Sequence, residues 1–155
     1  MPDVLKLVPD MIPSTSFFKN LRDILKPEEW DIVRHAVYAK AGNKCEICGG
    51  VGDRHPVECH ERWDYDEKTG VQKLVGLIAL CPNCHEVIHF GLAQVRGRQD
   101  QATAHMRKVT GADHDTAHKA IEKAFKVWRR RSEIQWKLDV SALEALKENY
   151  AARMG

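Results

Sequence analysis

Apolar side chains recur at helical spacing early in the chain. Trp30, Val33 and Val37 are separated by three and four residues, which is typical of one face of an amphipathic helix. A proline and two glutamates open this segment, as at many helix N-termini, and Gly42 marks its end. We therefore predict a helix over residues 27–42.

The middle of the chain has a different pattern. Residues 55–61 and 71–80 are typical of two strands, and the second, VQKLVGLIAL, is apolar and contains valine and isoleucine. The intervening DEKTG has the composition of a turn. After Cys81, the segment PNCHEVIHF predicts a short helix that opens at Pro82 and ends at Gly91. This pattern therefore predicts a β-hairpin followed by a short helix.

Beyond Leu92 the apolar pattern is helical again. It predicts helices over residues 98–109, 113–136 and 139–151. Asp113 or Asp115 is expected to cap the second of these helices, and Asp139 or Ser141 the third.

Together these elements predict an α+β fold, in which a β-hairpin and a helix are flanked by N-terminal and C-terminal helices. We divide the chain into an N-terminal arm (1–29), a module with the hairpin and the short helix (30–92), and a helical extension packed on the module (93–155). No prediction follows for the oligomeric state.

Length and composition are those of one globular domain. A chain of 155 residues can bury about 70% of the surface that it exposes when unfolded. There is no run of about 18 apolar residues, so we expect no membrane span. The opening MPDVLKLVPDMIPSTS has none of the features of a secretory signal, so we expect a cytoplasmic protein. In a reducing compartment, five cysteines favour metal binding over disulfides.

Charge is segregated along the chain although the net charge is only +2. Residues 45–91 carry 4 basic and 8 acidic side chains, whereas residues 92–137 carry 11 and 5. An acidic, cysteine-rich centre beside a basic segment fits a cation-binding site next to a polyanion-binding surface.

Four of the cysteines form two C-x-x-C pairs, Cys45 with Cys48 and Cys81 with Cys84. Two intervening residues let both thiolates of a pair reach one ion, and two such knuckles complete the tetrahedral set that structural zinc prefers. A bound ion of this kind supplies on the order of 10 kcal/mol of folding free energy. We predict a structural Zn²⁺ at these cysteines; redox cysteines or disulfides are the alternative.

Two histidines follow the second cysteine pair. His85 and His89 are four residues apart on the predicted helix, so both rings project from one face, as in many chelating pairs. Packing beside the knuckle is the alternative for either ring. The sequence Cys59-His60-Glu61 ends the first predicted strand, and a hairpin folded over the helix would bring His60 close to the pair.

These segments resemble one known family. CEICGG, VECHERWDYDE and GVQKLVGLIALCPNCHEVIHFG are similar to the HNH endonucleases, which have a zinc-stabilised ββα-metal module. The resemblance covers about residues 30–92, and its most specific parts are the paired C-x-x-C knuckles and CH-x-x-x-H. The helical ends resemble the flanks of small bacterial and phage proteins of this type. The resemblance implies metal-dependent hydrolysis of DNA phosphodiester bonds.

The resemblance also implies roles for individual residues. His60 matches the general base that activates water. His85 and His89 match the helix histidines that hold a second, catalytic divalent cation, for which Mg²⁺, Mn²⁺, Ni²⁺ and Zn²⁺ are candidates. Cys59 occupies a position where the family usually has an Asp or His ligand, and a thiolate there favours zinc or nickel over magnesium.

Another position also departs from the motif. Gly76 stands where the family has the asparagine that orients the base. Another group must then orient His60, and the candidates are Glu58, Glu61 or a backbone carbonyl. The departures at Cys59 and Gly76 favour a second interpretation, a zinc-stabilised nucleic-acid-binding or partner-binding module that has lost catalysis.

The longest predicted helix carries a basic face. Its cations are Lys119, Lys123, Lys126, Arg129, Arg130 and Lys137. A row of cations along a helix suits sequence-independent contact with DNA phosphates, and a solvated face is the alternative. His105, His114 and His118 lack ligand spacing, and we assign them no role.

Overall fold

The computed structural model describes residues 5–17 and 20–154, with side chains as far as residue 148. Its elements, in chain order, are α1 (Leu21–Ile24), α2 (Pro27–Lys40), β1 (Glu58–Asp66), β2 (Val71–Leu80), α3 (Pro82–Ile88), α4 (Phe90–Val95), α5 (Gln99–Thr110), α6 (His114–Arg131), β3 (Lys137–Asp139) and α7 (Leu143–Met154). This is the predicted α+β fold, a hairpin and a helix between flanking helices. Among the described helices, none is long and apolar enough to cross a membrane.

The hairpin extends further along the first strand than predicted, because β1 continues to Asp66. It pairs antiparallel with β2, and the register shifts in the middle of the sheet. Arg62 lies opposite Gly76 and Trp63 opposite Leu74, which leaves Val75 as an extra residue on β2. A bulge of this kind bends and twists a strand locally, and bulges are common beside functional sites.

The predicted helix after the hairpin is two helices. α3 ends at Ile88, and His89 leaves the helical conformation with φ −92° and ψ 51°. α4 then begins at Phe90, so Gly91 lies inside a helix instead of ending one. The N–H of His89 still donates to the carbonyl of His85 at 3.0 Å, which keeps His89 one turn beyond His85.

The prediction that α6 extends to residue 136 is wrong, because the helix ends at Arg131. Trp136 is only 4% exposed, its Nε1–H donates to the Arg131 carbonyl at 2.9 Å, and its ring lies 5.2 Å from that of Tyr65. The backbone N–H of Lys137 donates to the carbonyl of Gly70 at 2.8 Å and starts β3, which pairs parallel with β2. Burial of Trp136 against the hairpin thus outweighs about one and a half further turns of helix.

Two predicted helix starts remain to be compared with the structure. The start of α6 is close to the predicted one, and the start of the last helix is shifted. Asp113 caps α6, because its side chain accepts from the backbone N–H of Thr116 at 2.8 Å. The last helix begins at Leu143, later than predicted, because Asp139 accepts from the N–H of Ser141 at 2.9 Å in a turn that precedes it.

Two apolar cores lie on opposite faces of the hairpin. The first packs the N-terminal arm, α3, α5 and α6 around the cysteines and includes Leu7 and Ile121. The second packs α1, α2 and α7 on the hairpin and includes Val33 and Leu143. The first core thus contains buried residues from all three predicted segments. Their boundaries at 29/30 and 92/93 stay predictions.

The N-terminal arm is held in place although it forms no strand. Leu7 is 1% exposed in the first core. The N–H of Asp10 donates to the carbonyl of Ile88 at 2.9 Å, and the Nε1–H of Trp128 donates to the carbonyl of Ile12 at 3.0 Å. The arm therefore connects the end of α3 to α6 and lies beside the hairpin.

Candidate metal centres

The four cysteines of the two C-x-x-C pairs come together between the loop after α2 and the start of α3. Their Sγ atoms all lie within 4.8 Å of one another, and those of Cys48 and Cys81 are 3.6 Å apart. Sulfurs at about 2.3 Å from a tetrahedral ion lie roughly 3.8 Å from each other. The cysteines therefore form a group that could bind a structural metal such as zinc, as predicted.

Backbone N–H groups point at three of the four sulfurs. The N–H of Cys48 donates to Cys45 Sγ at 3.5 Å, that of Gly50 to Cys48 Sγ at 3.3 Å, and that of Cys84 to Cys81 Sγ at 3.4 Å. Each donor lies two or three residues beyond its acceptor, so the hydrogen bond to each of these sulfurs comes from the backbone of the same knuckle. Such bonds stabilise negative charge on a thiolate.

A side chain supplies the donor for the fourth sulfur. The Nε2 atom of His105, on α5, lies 3.2 Å from the Sγ of Cys84. With Cys84 as a thiolate, the Nε2–H of His105 donates this bond. The sequence indicated no role for His105, because the contact joins residues on two different helices and has no local signature.

The electrostatics of the cysteine group favour a cation in its centre. Burial raises the pKa of Cys84, and the neighbouring Cys45 and Cys81 raise it further. Burial also raises the pKa of Cys81, to about 11. Burial opposes ionisation of Cys45 as well, but N–H groups, led by that of Cys48, lower its pKa to about 7. Four thiolates this close repel one another unless a positive charge holds them, so the donor set fits a divalent ion.

Three histidines form a second group beside the first. His60 on β1 meets His85 and His89, and one ring nitrogen of each lies within 4.8 Å of the others. The Nε2 atoms of His85 and His89 are 3.0 Å apart. Two nitrogens bound to one tetrahedral ion at about 2.0–2.1 Å lie roughly 3.3 Å apart, so this pair needs only a small shift to chelate.

Glu58 fixes one of these rings. Its carboxylate accepts from the Nδ1–H of His85 and, at 2.9 Å, from the Nε2–H of His55. The hydrogen bond from His85, above all, lowers the pKa of Glu58 to about 2. A histidine whose Nδ1–H donates to a carboxylate presents its Nε2 lone pair to a metal. Glu58 thus orients His85. It was one of three candidates to orient His60, and both of the side-chain hydrogen bonds that it makes within the described residues go to other histidines.

Cys59 and Glu61 face away from the three histidines, because successive side chains of a strand alternate between its faces. Cys59 packs against the second core, where burial raises its pKa to about 12. The Glu61 carboxylate accepts from the N–H of Leu21 at 3.2 Å, and burial raises its pKa to about 7. Within the described chain, Cys59 belongs to neither metal-binding group, so its assignment as a ligand is corrected to a packing role.

The rings of His60 and His89 are uncharged near neutral pH. Burial first, and then the proximity of His89 and His85, lower the pKa of His60 to about 3. Burial likewise lowers the pKa of His89 to about 4. Neutral imidazole is the form that binds metals and accepts protons, so the group fits a divalent cation.

His60 opens onto a groove of about 390 Å³ between the hairpin and the N-terminal arm. Arg62, Gly76, Lys6 and Asp10 are among its lining residues. A Cβ added to Gly76 would meet no atom within 4 Å, so this part of the groove is open space.

The predicted basic row is not continuous. Lys119, Lys123, Lys126 and Arg129 are exposed on α6. Arg130 instead binds the Glu67 carboxylate through Nε at 2.5 Å and Nη2 at 2.8 Å. Lys137 lies in β3, beyond the end of the helix. The row therefore shortens to the exposed cations of α6.

Comparisons with protein-family models, with curated proteins and with solved structures find no match to this chain. The resemblance to HNH endonucleases therefore stays a prediction from the motifs.

We expect His105→Phe to release the structural metal faster than wild type, because Cys84 loses its hydrogen-bond donor. Loss of such an outer partner costs about 10-fold or more in metal affinity. His105→Gln, which keeps an N–H donor on a side chain of similar reach, should release metal close to the wild-type rate. The measurement is zinc transfer to a chromophoric chelator, and equal rates for the Phe and wild-type proteins would contradict the assignment.

Proposed function

We propose that this chain is an HNH-type, metal-dependent endonuclease that hydrolyses DNA phosphodiester bonds. The observation that carries the proposal is the convergence of His60, His85 and His89 at the junction of hairpin and helix, next to the cysteine group. The same three residues were assigned to the catalytic site from the motif.

The residues suggest separate tasks for the two groups of ligands. The cysteines hold a structural Zn²⁺, and His85 and His89 hold a second divalent cation. That cation, when bound, supplies Lewis-acid polarisation of the phosphate and of the leaving oxygen. Glu58 keeps the His85 ring in the orientation that this ligand role needs.

His60 is positioned for the proton-transfer step, although a pKa lowered to about 3 makes its ring a weaker base than an imidazole that titrates near neutral pH. Its uncharged ring accepts a proton from a water molecule as the water oxygen bonds to phosphorus. The bond from phosphorus to one sugar oxygen breaks, and that oxygen takes a proton from solvent. His60 lines the groove beside the arm, which gives a DNA strand a path to the ring. The exposed cations of α6 provide additional, sequence-independent attraction.

A second candidate function is a zinc-stabilised nucleic-acid-binding or partner-binding module without catalysis. Two observations favour it. Gly76 supplies no side chain toward the groove. In the part of the chain that the structure describes, the ring of His60 contacts the rings of His85 and His89 but has no hydrogen-bond partner. A base without an orienting group is a weaker catalyst.

We expect His60→Ala to reduce plasmid nicking at least about 100-fold while the second cation still binds, because His60 acts on water and is not a ligand. His85→Ala should lose both nicking and the second cation. The assay is nicking of supercoiled plasmid with Mg²⁺, Mn²⁺, Ni²⁺ or Zn²⁺, paired with calorimetric titration of the zinc-loaded protein.

The pair of variants separates the alternatives. If His60→Ala also loses the second cation, His60 is a third ligand and the base is another group. If wild type binds DNA and nicks with none of the four metals, the binding module is the correct function.

We expect Gly76→Asn to increase the nicking rate severalfold. Gly76 lies opposite Arg62 and two residues before Ile78, the partner of His60, so an amide at 76 projects from the same face as His60. The matched control is Val75→Asn, which places the same amide on the exposed bulge residue. A rise in kcat with Asn at 76 but not at 75 is the expected result, and equal rates for all three proteins would contradict it.

A further inference from the structure

Three cations that the sequence did not single out face two adjoining grooves. Arg62 lines the groove that contains His60. Lys108 lines a second groove, also about 390 Å³, beside the cysteine group. Lys6, on the arm, lines both grooves and therefore stands where they meet.

These cations are available to an external anion. Lys6, Arg62 and Lys108 are all exposed, and none of them forms an ion pair within residues 5–17 and 20–148. Elsewhere in the chain, several arginines are already neutralised by carboxylates, as Arg130 is by Glu67. Cations that line a concave surface without an internal partner are the usual sign of an anion-binding surface.

The acidic group in the first groove has its own partner. Asp10 lines that groove, but its carboxylate lies 3.6 Å from the Arg131 guanidinium. In the second groove, the N–H donors of the knuckles and of His105 disperse the negative charge of the thiolates without cancelling it. The unbalanced charge is therefore positive in the first groove, and in the second groove Lys6 and Lys108 are the cations that face an external anion.

The basic residues of α6 lack this arrangement. Neither of the two grooves is lined by a residue of α6. Lys119, Lys123 and Lys126 project from a helix surface, so they can attract a polyanion but do not enclose it.

We propose that the sugar-phosphate backbone of one DNA strand runs through both grooves, with Arg62, Lys6 and Lys108 as its phosphate contacts. The strand crosses the arm at Lys6 and passes from His60 to the face of the cysteine group. The choice of DNA rests on the proposed nuclease function. The path itself rests on the two grooves and their unpaired cations.

The test compares two triple variants that remove the same charge. One is Lys6→Gln with Arg62→Gln and Lys108→Gln, and the control is Lys119→Gln with Lys123→Gln and Lys126→Gln. Both are made in the zinc-loaded chain of 155 residues carrying His60→Ala, so that DNA is not cut. Fluorescence anisotropy measures binding of labelled single-stranded and double-stranded oligonucleotides over a range of salt concentrations.

Each lost phosphate contact lowers the slope of log K against log salt by about 0.7 for single strands and about 0.9 for duplexes. The groove triple should therefore lose roughly two to three units of slope and at least about tenfold in affinity at low salt. The α6 triple should lose less than one unit. Equal losses in the two triples, or no loss in the groove triple, would overturn the proposal.

Folding and catalysis are read separately. All six side chains are exposed, so the zinc content and thermal unfolding of both triples should match those of the parent protein. If the groove triple unfolds, Lys108→Gln alone repeats the test. If the groove triple binds DNA less tightly and the wild-type chain nicks DNA with none of the metals, the proposed DNA path is supported and the nuclease function is excluded. If the same three groove substitutions, made in the chain that keeps His60, leave nicking and DNA affinity at the wild-type level, the path is removed and the nuclease function stays.

Discussion

The fold depends on four sulfurs that lie closer together than uncompensated thiolates tolerate. They join the loop after α2 to the start of α3, and His105 connects α5 to the same cluster. A divalent ion bound at its centre would supply folding free energy directly, because the unfolded chain has no preformed site. Cys84 and His85 are neighbours on α3, so the cysteine group that fixes the first turn of this helix also fixes the position of the His85 ring that faces Glu58.

The two faces of β1 lie in different surroundings. His60 and Arg62 point to the groove, while Cys59 and Glu61 point to the second core. Strand geometry imposes this division, since adjacent residues cannot share a face. The histidine group therefore consists of imidazoles and the carboxylate that orients one of them, and its sulfur neighbour serves packing. An all-nitrogen set suits zinc, copper, iron and nickel, whereas a thiolate ligand favours zinc and copper(I).

The cysteine pairs, the hairpin and the shared face of His85 and His89 were predictable, because each depends on spacing along a few residues. The error at Cys59 was avoidable: the same strand prediction that contained Cys59 and His60 already places them on opposite faces. The contacts of Glu58 and His105 were not predictable, since they join residues 27 and 21 positions apart on different elements. The end of α6 depends on the burial of Trp136 against Tyr65, which no local pattern reveals.

The central claim is that sulfur holds one ion and imidazole another. Cobalt(II) titration of the zinc-loaded chain, followed by absorption spectroscopy, tests it most directly. The account predicts one retained zinc and one exchangeable cobalt whose spectrum lacks thiolate-to-cobalt charge-transfer bands, in wild type and in Cys59→Ala alike. A second cobalt with those bands, or no second binding event at all, would contradict it.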